Sequence, residues 1–387
     1  MSDGRTKRLR GRGPSTLAAW LLLGILALAA GGCAHTLRPP GEAVYDLADP
    51  PDCASRFAPP PPAARDVLAV RYLGAGGVVL GWRGHWVMTA PFFSNPGLLR
   101  ARFGRLRIDE QAVADGLAGV PVGDVGAILA GHSHYDLGDL PHVAELAPGA
   151  ALYVNDSGAH ALRAVPELVD RLRVLEDYGG GWIDLADAAG RPLPIRVLAL
   201  PSGHAPHVWR LSLFTGEIER DWEPPWGRHR FAALTGGTPF AFVVELLDEA
   251  GAVGGRLLLQ DAAGAEGLDR LPDGPYDLAV LCMASAQTVK PYPRDVLARV
   301  EPRHVLVTHY ENFFRHPSRP LQLVPLLYRW RAERFLRWTN DALAAAGRPP
   351  APPLSRPCGP SQDGWTLPLP GEWLQLAAGA ASEEGSP

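Results

Sequence analysis

Apolar and polar positions alternate in short, glycine-punctuated runs once the chain passes residue 66. Runs 67–73, 78–82 and 86–89 are β-prone and separated by Gly-containing turns, the pattern of a meander or hairpin. Residues 109–117 then read as a helix, and 125–130 as a fully apolar strand that delivers Gly131 and His132 at its carboxyl end. A strand at 151–154, a helix at 159–175 and a strand at 195–200 continue an α/β alternation. The second half resembles the first: strands at 240–247 and 256–260 flank a Gly-rich turn, followed by a strand at 278–282, a helix at 294–300 and a strand at 304–308. Between the halves, 216–238 carries Trp222, Trp226, Arg228, His229 and Arg230 without a clear period, and is long for a connection in a compact domain. It reads either as a lid over a substrate or as an excursion packed on the surface. A helix at 321–346 precedes a Pro-rich segment and a polar tail.

Composition adds to this picture mainly at the amino terminus. Arg5, Lys7, Arg8, Arg10 and Arg12 precede an apolar stretch at 17–30 that ends in Gly31, Gly32 and Cys33, the plan of a signal peptide. Small residues before a cysteine are similar to a bacterial lipoprotein cleavage box, so Cys33 is expected to be acylated and to anchor an exported, envelope-located protein to a membrane. The organisation expected is a signal peptide at 1–33, a Pro-rich tether at 34–65, the folded domain at 66–350, and a Pro-rich, polar tail at 351–387. Apolar residues make up 47% of the 387 positions, enough for a sizeable core. A formal net charge of −4 gives no basic excess, so a nucleic-acid partner is not expected. In an oxidising compartment Cys53 and Cys358 could pair or stay as two loop thiols, whereas Cys282 sits in an apolar run and reads as a buried strand residue.

The chemistry is concentrated in Gly131 to Leu140, which reads GHSHYDLGDL. Alternate residues of an extended backbone share a face. His132, His134 and Asp136 can therefore converge from one loop on a divalent metal, with zinc the expected ion and manganese or iron as alternatives, or the two histidines can stand solvated in a polar turn. No Gly-x-Ser-x-Gly elbow and no phosphate-cradling loop with its lysine is present, which counts against a serine hydrolase or a nucleotide-binding protein.

Three more segments carry matching residues: Leu200-Pro201-Ser202-Gly203-His204-Ala205-Pro206-His207, Gln260-Asp261-Ala262-Ala263-Gly264, and Thr308-His309-Tyr310-Glu311-Asn312-Phe313. In this order the chain resembles the metallo-β-lactamase superfamily. Tyr72-Leu73-Gly74 and Pro91-Phe92-Phe93-Ser94 are similar to the branch of ascorbate-phosphate lactonases and N-acylphosphatidylethanolamine phospholipases. The resemblance implies a single-domain, four-layer αβ/βα sandwich with metals at the sheet edges. It places His132, His134 and His204 on a first divalent metal, Asp136 and His309 on a second, and Asp261 between them. One or two ions per chain would activate a hydroxide against an ester-like or phosphodiester substrate, a small molecule or a phospholipid, with Asp136 orienting the water. His207 would be a neighbouring or substrate-contacting imidazole.

Two departures bear on this expectation. The superfamily has a histidine after the aspartate where this chain has Leu137, and an aspartate where it has Ala90. Asp139 could replace the missing ligand or could be an ordinary capping or solvated carboxylate. The alternative function is a catalytically impaired envelope lipoprotein that uses the sandwich as a binding module.

Overall fold

The computed structural model describes residues 57, 67–89, 91–206, 214–290, 292–319, 321–324, 329–345, 347 and 365–378. The signal peptide, the tether, Cys33, Cys53 and Cys358 lie outside the described residues. Among the described residues no helix is long and apolar enough to cross a membrane.

The first sheet is built from β1 (Val67–Gly74), β2 (Gly77–Trp82), β3 (His85–Thr89), β4 (Val125–Ala130), β5 (Ala151–Val154), β6 (Leu172–Val174) and β14 (Trp373–Ala377), in the order β14-β1-β2-β3-β4-β5-β6. Pairing is antiparallel from β14 to β3 and parallel from β3 to β6. The second sheet repeats the plan with β7 (Trp182–Ala186), β8 (Pro192–Pro201), β9 (Phe240–Leu247), β10 (Val253–Gln260), β11 (Leu278–Cys282), β12 (His304–Thr308) and β13 (Trp365–Thr366). It is antiparallel from β7 to β10 and parallel from β10 to β13.

Parallel neighbours need long crossovers, and these carry the helices: α1 (Leu98–Phe103), α2 (Glu110–Leu117), α3 (Leu140–Leu146) and α4 (Asp156–Leu162) along the first sheet, α5 (Arg294–Val300) and α6 (Arg329–Ala345) along the second. The central parallel strands β4 and β11 are buried at every position, which is why they read as unbroken apolar runs. Residues of both sheets share one apolar core, and the indole N–H of Trp82 on β2 donates to the Leu247 carbonyl on β9 at 2.8 Å. The α/β sandwich expected from the sequence is the architecture observed.

Several expectations need correction. The helix expected over 159–175 ends at Leu162: Pro166 opens a separate 3-10 turn, and the chain then forms β6. The helix expected from 321 begins at Arg329, and Leu323 instead forms a bridge with Glu311. The domain does not stop at residue 350, because β13 and β14 close one edge of each sheet. Trp373 of β14 is buried, with its ring edge-on to Trp86 at 5.8 Å, so burying this aromatic ring draws the segment into the sandwich.

Candidate metal centre

His132 and His134 leave the carboxyl end of β4 on either side of Ser133. That serine fixes the loop: its N–H donates to the Gly236 carbonyl at 3.1 Å and its hydroxyl to the Thr235 carbonyl at 2.6 Å. With Ser133 pinned, the flanking imidazoles, two residues apart, turn towards each other. They meet His204, which follows the end of β8, with ring centroids 4.7 Å apart for His132 and His134, 5.4 Å for His132 and His204, and 4.6 Å for His134 and His204. One nitrogen from each ring lies within 4.8 Å of the other two. His204 Nδ1 is 2.7 Å from the Ala205 carbonyl oxygen, which can only accept, so in the neutral ring Nδ1 carries the proton and Nε2 keeps the lone pair.

Asp261, just after β10, brings Oδ2 to 3.2 Å from His132 Nδ1. Burial works against its carboxylate, yet the neighbouring His132, with His309 and His204, outweighs that and holds the pKa below the usual range. His309 follows β12 with a left-handed φ of 58°, and its N–H donates to the Tyr72 hydroxyl at 3.1 Å. The Tyr72 hydroxyl donates in turn to Glu311 Oε1 at 2.5 Å, and the same oxygen accepts the Ala75 N–H at 2.5 Å. Gly76, at φ +86°, lies against both His309 and Asp261: a Cβ there would stand 2.7 Å from His309 Nδ1 and 3.3 Å from the Asp261 Cβ. Glycine supplies both the backbone conformation and the space.

Asp139 has another role. Its Oδ2 accepts the N–H groups of Phe93 and Ser94, each at 2.7 Å, and its Oδ1 accepts the Ser94 hydroxyl at 2.5 Å. Burial pushes this carboxyl up, against those hydrogen bonds. The carboxylate braces the loop after β3 through these hydrogen bonds and is not one of the three side chains whose nitrogens converge in the imidazole cluster. Leu137 is 3% exposed and packs towards α4, where a Cβ on Gly158 would stand 3.6 Å from its Cδ2. Asp136 lies in a 3-10 turn, its side chain outside the described residues, as are Ala90 and His207.

Sequence reasoning missed the part played by 214–238. This excursion carries Gly236 onto the cluster, where a Cβ would stand 2.8 Å from His134 Nε2. Asn155 holds it there by donating to the carbonyls of Gly236 at 2.8 Å and Thr238 at 3.0 Å. Trp226 anchors its middle, its indole N–H donating to the Gly138 carbonyl at 3.2 Å, while Trp222 stacks on His229 with centroids 4.2 Å apart. The Thr215-Gly216 and Thr235-Gly236-Gly237 steps are plain in the sequence, but nothing there connects them to His134.

No protein-family model matches this chain, and no curated protein matches it. Among solved structures it is similar to Igni18, a metallo hydrolase from the archaeon Ignicoccus hospitalis, at 12% identity over 80% of this chain and 98% of that one, with a TM-score of 0.44. It is similar to CmlA, a diiron β-hydroxylase from Streptomyces venezuelae, at 13% identity over 82% of this chain and 55% of that one, with a TM-score of 0.44. It is also similar to YhfI, a metallo-β-lactamase fold protein from Bacillus subtilis, at 12% identity over 63% of this chain and 86% of that one, with a TM-score of 0.36. Identities this low carry no information on activity, which has to be argued from this chain's own residues.

Proposed function

We propose that this protein is a metal-dependent hydrolase of the metallo-β-lactamase superfamily, acting on an ester-like or phosphodiester substrate. The observation that carries the proposal is the convergence of His132, His134 and His204, with one nitrogen of each within 4.8 Å of the others and Asp261 Oδ2 at 3.2 Å from His132. Three imidazoles and a carboxylate form a donor set that fits zinc, with manganese or iron also compatible. His132, His134 and His204 would hold one ion, and Asp136, Asp261 and His309 would serve a second. A bound divalent ion supplies Lewis acidity for hydrolysis.

The chain's own residues prepare that chemistry. The Ala205 carbonyl fixes the ring of His204, Ser133 fixes the loop of His132 and His134, and the environment of Asp261 keeps it anionic. Gly236 lies against His134, so backbone covers that side of the ring. Asp136 is the candidate to orient the attacking water, and His207 to contact substrate. The basic, then apolar, amino-terminal stretch ending at Cys33 supports export and a lipid anchor in the bacterial envelope. A phospholipid or other amphipathic ester near a membrane is therefore the leading substrate class, with 214–238 as its lid.

Elemental analysis of the purified chain, joined to turnover of a panel of esters and phosphodiesters, tests the proposal. One or two equivalents of metal are expected, with both metal and turnover lost in His134→Ala. A metal-free wild type, or a His134→Ala variant that hydrolyses as fast as wild type, would overturn it in favour of the binding module. For the anchor, Cys33→Ala is expected to move the protein from membrane to soluble fractions.

A further inference from the structure

We propose a second ligand site, for a small anion that also carries hydroxyl or ammonium hydrogens, in the cavity enclosed by β1, α2 and the loop after His309. The cavity has a volume of about 420 Å³ and is lined by Arg71, Arg315, Arg319, Asn95, Glu311 and Phe92, among others. That size is at the small-molecule end of binding pockets. It lies on the helix-bearing side of β1 and contains none of the imidazoles of the metal centre.

The cavity wall carries polar groups that have no partner among the described residues. Arg71 is only 5% exposed: its Nη1 donates to the Ala118 carbonyl at 2.6 Å and its guanidinium sits 5.4 Å over the ring of Trp373. Among the described residues its Nε has no acceptor and no carboxylate pairs with it. Burial draws its pKa down to about 10, which leaves it charged at neutral pH. Arg315 lines the same cavity with a buried Nε that also has no acceptor. A buried guanidinium without an anion is costly, and its planar fork matches a carboxylate or a phosphate.

The opposite deficit lies in the same cavity. Glu311, buried behind the β1–β2 turn, uses Oε1 twice, for Tyr72 and Ala75, while its Oε2 has no donor among the described residues. Asn95 Oδ1 has none either, on a residue held at a left-handed φ of 39°. Missing acceptors near the arginines and missing donors near Glu311 and Asn95 are complementary demands. One compact ligand with an oxyanion at one end and hydroxyl or ammonium hydrogens at the other meets both.

Calorimetric titration of the purified protein with sn-glycerol 3-phosphate, D-glycerate and inorganic phosphate, with glycerol as the neutral control, tests the site. At least one anion is expected to bind saturably at one equivalent, to bind equally to His204→Ala, and to bind at least about tenfold more weakly to Arg71→Met and Arg315→Met. Preference for glycerol 3-phosphate over glycerate, or the reverse, identifies the oxyanion as phosphate or carboxylate. Melting curves establish that each variant is folded, and Arg315→Met decides the matter if Arg71→Met is not. The proposal fails if none of the three anions binds below about 10 mM. It fails equally if binding is unchanged in Arg315→Met, or if it is lost in His204→Ala and kept in the arginine variants, which would put the anion at the imidazoles.

Discussion

Adding one methyl group at residue 236 tests whether the imidazole cluster is positioned for a metal. The backbone of Gly236 lies outside the left-handed region, so Gly236→Ala introduces bulk without backbone strain. The new Cβ would stand 2.8 Å from His134 Nε2, 3.3 Å from its Cδ2 and 3.4 Å from its Cε1. Ordinary contact needs roughly 3.5 Å or more, so the ring or the backbone must retreat by about 0.7 Å. The backbone is held: the Gly236 N–H donates to Phe214 at 3.0 Å, and its carbonyl accepts from Ser133 at 3.1 Å and from Asn155 at 2.8 Å. The imidazole therefore moves, by several times the ~0.2 Å that a metal–ligand distance tolerates. Metal affinity is expected to fall about 10- to 100-fold, equivalent to about 1.4–2.7 kcal/mol. The metal-free protein should lose only about 1–3 kcal/mol of stability, the usual cost of overpacking. Chelator competition reads the affinity, and melting curves without metal read the fold. An affinity within about threefold of wild type would refute the reasoning, because a cluster indifferent to the position of His134 is not a metal centre built on it.

Three further outcomes follow from contacts around the site. Asp139→Asn can keep its carbonyl oxygen on the N–H groups of Phe93 and Ser94, but it turns an NH2 group towards Ser94 Oγ, which already accepts the Asp109 N–H, at a cost of about 1–3 kcal/mol in denaturant unfolding with metal content unchanged. Loss of one metal equivalent instead would make Asp139 a ligand after all. Leu137→His would bury an imidazole against α4 and destabilise by about 2–3 kcal/mol without raising metal content, read by the same two measurements. Asp221 is held below the usual carboxylate range first by its hydrogen bond from His160, 2.5 Å away, and then by Arg163. A depressed carboxyl contributes stability that is complete above the unfolded value near pH 4 and fades as pH falls through the folded value. Asp221→Asn should accordingly flatten the acid limb of stability below about pH 4 in melts, and an unchanged limb would show that this clasp on 214–238 contributes nothing.

The legible parts of the fold are those where burial alone sets the pattern. β4, β5, β9, β11, α5 and β12 coincide with the expected runs because each is a strand or helix whose apolar content leaves no competing reading. β7 was missed because it alternates exposed and buried residues from Trp182 over only five positions. β14 was missed because its run is short and sits beyond prolines and Gly371 that read as tail. Residues 159–175 were misread because their apolar spacing is helical although Pro166 cannot continue the hydrogen-bond ladder of α4. At the site, the spacing of His132 and His134 was legible because two residues in extended backbone face the same way. The positions of Gly236 over His134, and of Tyr72 behind His309, come from tertiary packing between residues far apart in sequence, which no local pattern encodes.

That division of labour also bears on Leu137, which stands where the pattern that the sequence resembles has a histidine. His132, His204, Asp261 and His309 each follow the carboxyl end of a different strand, β4, β8, β10 and β12. Each is then held by a contact outside its own loop or by the neighbouring backbone: the Ser133 clamp on the excursion, the Ala205 carbonyl on His204, His132 on Asp261, and the Tyr72 hydroxyl behind His309. Position 137 belongs to none of these supports. It faces the core beside Gly158, so an isobutyl group there fills space under α4 without entering the imidazole cluster. The Leu137 side chain thus stands apart from the three imidazoles, while its backbone N–H donates to the His134 carbonyl at 2.9 Å, so a change of side chain there acts first on the packing of the loop.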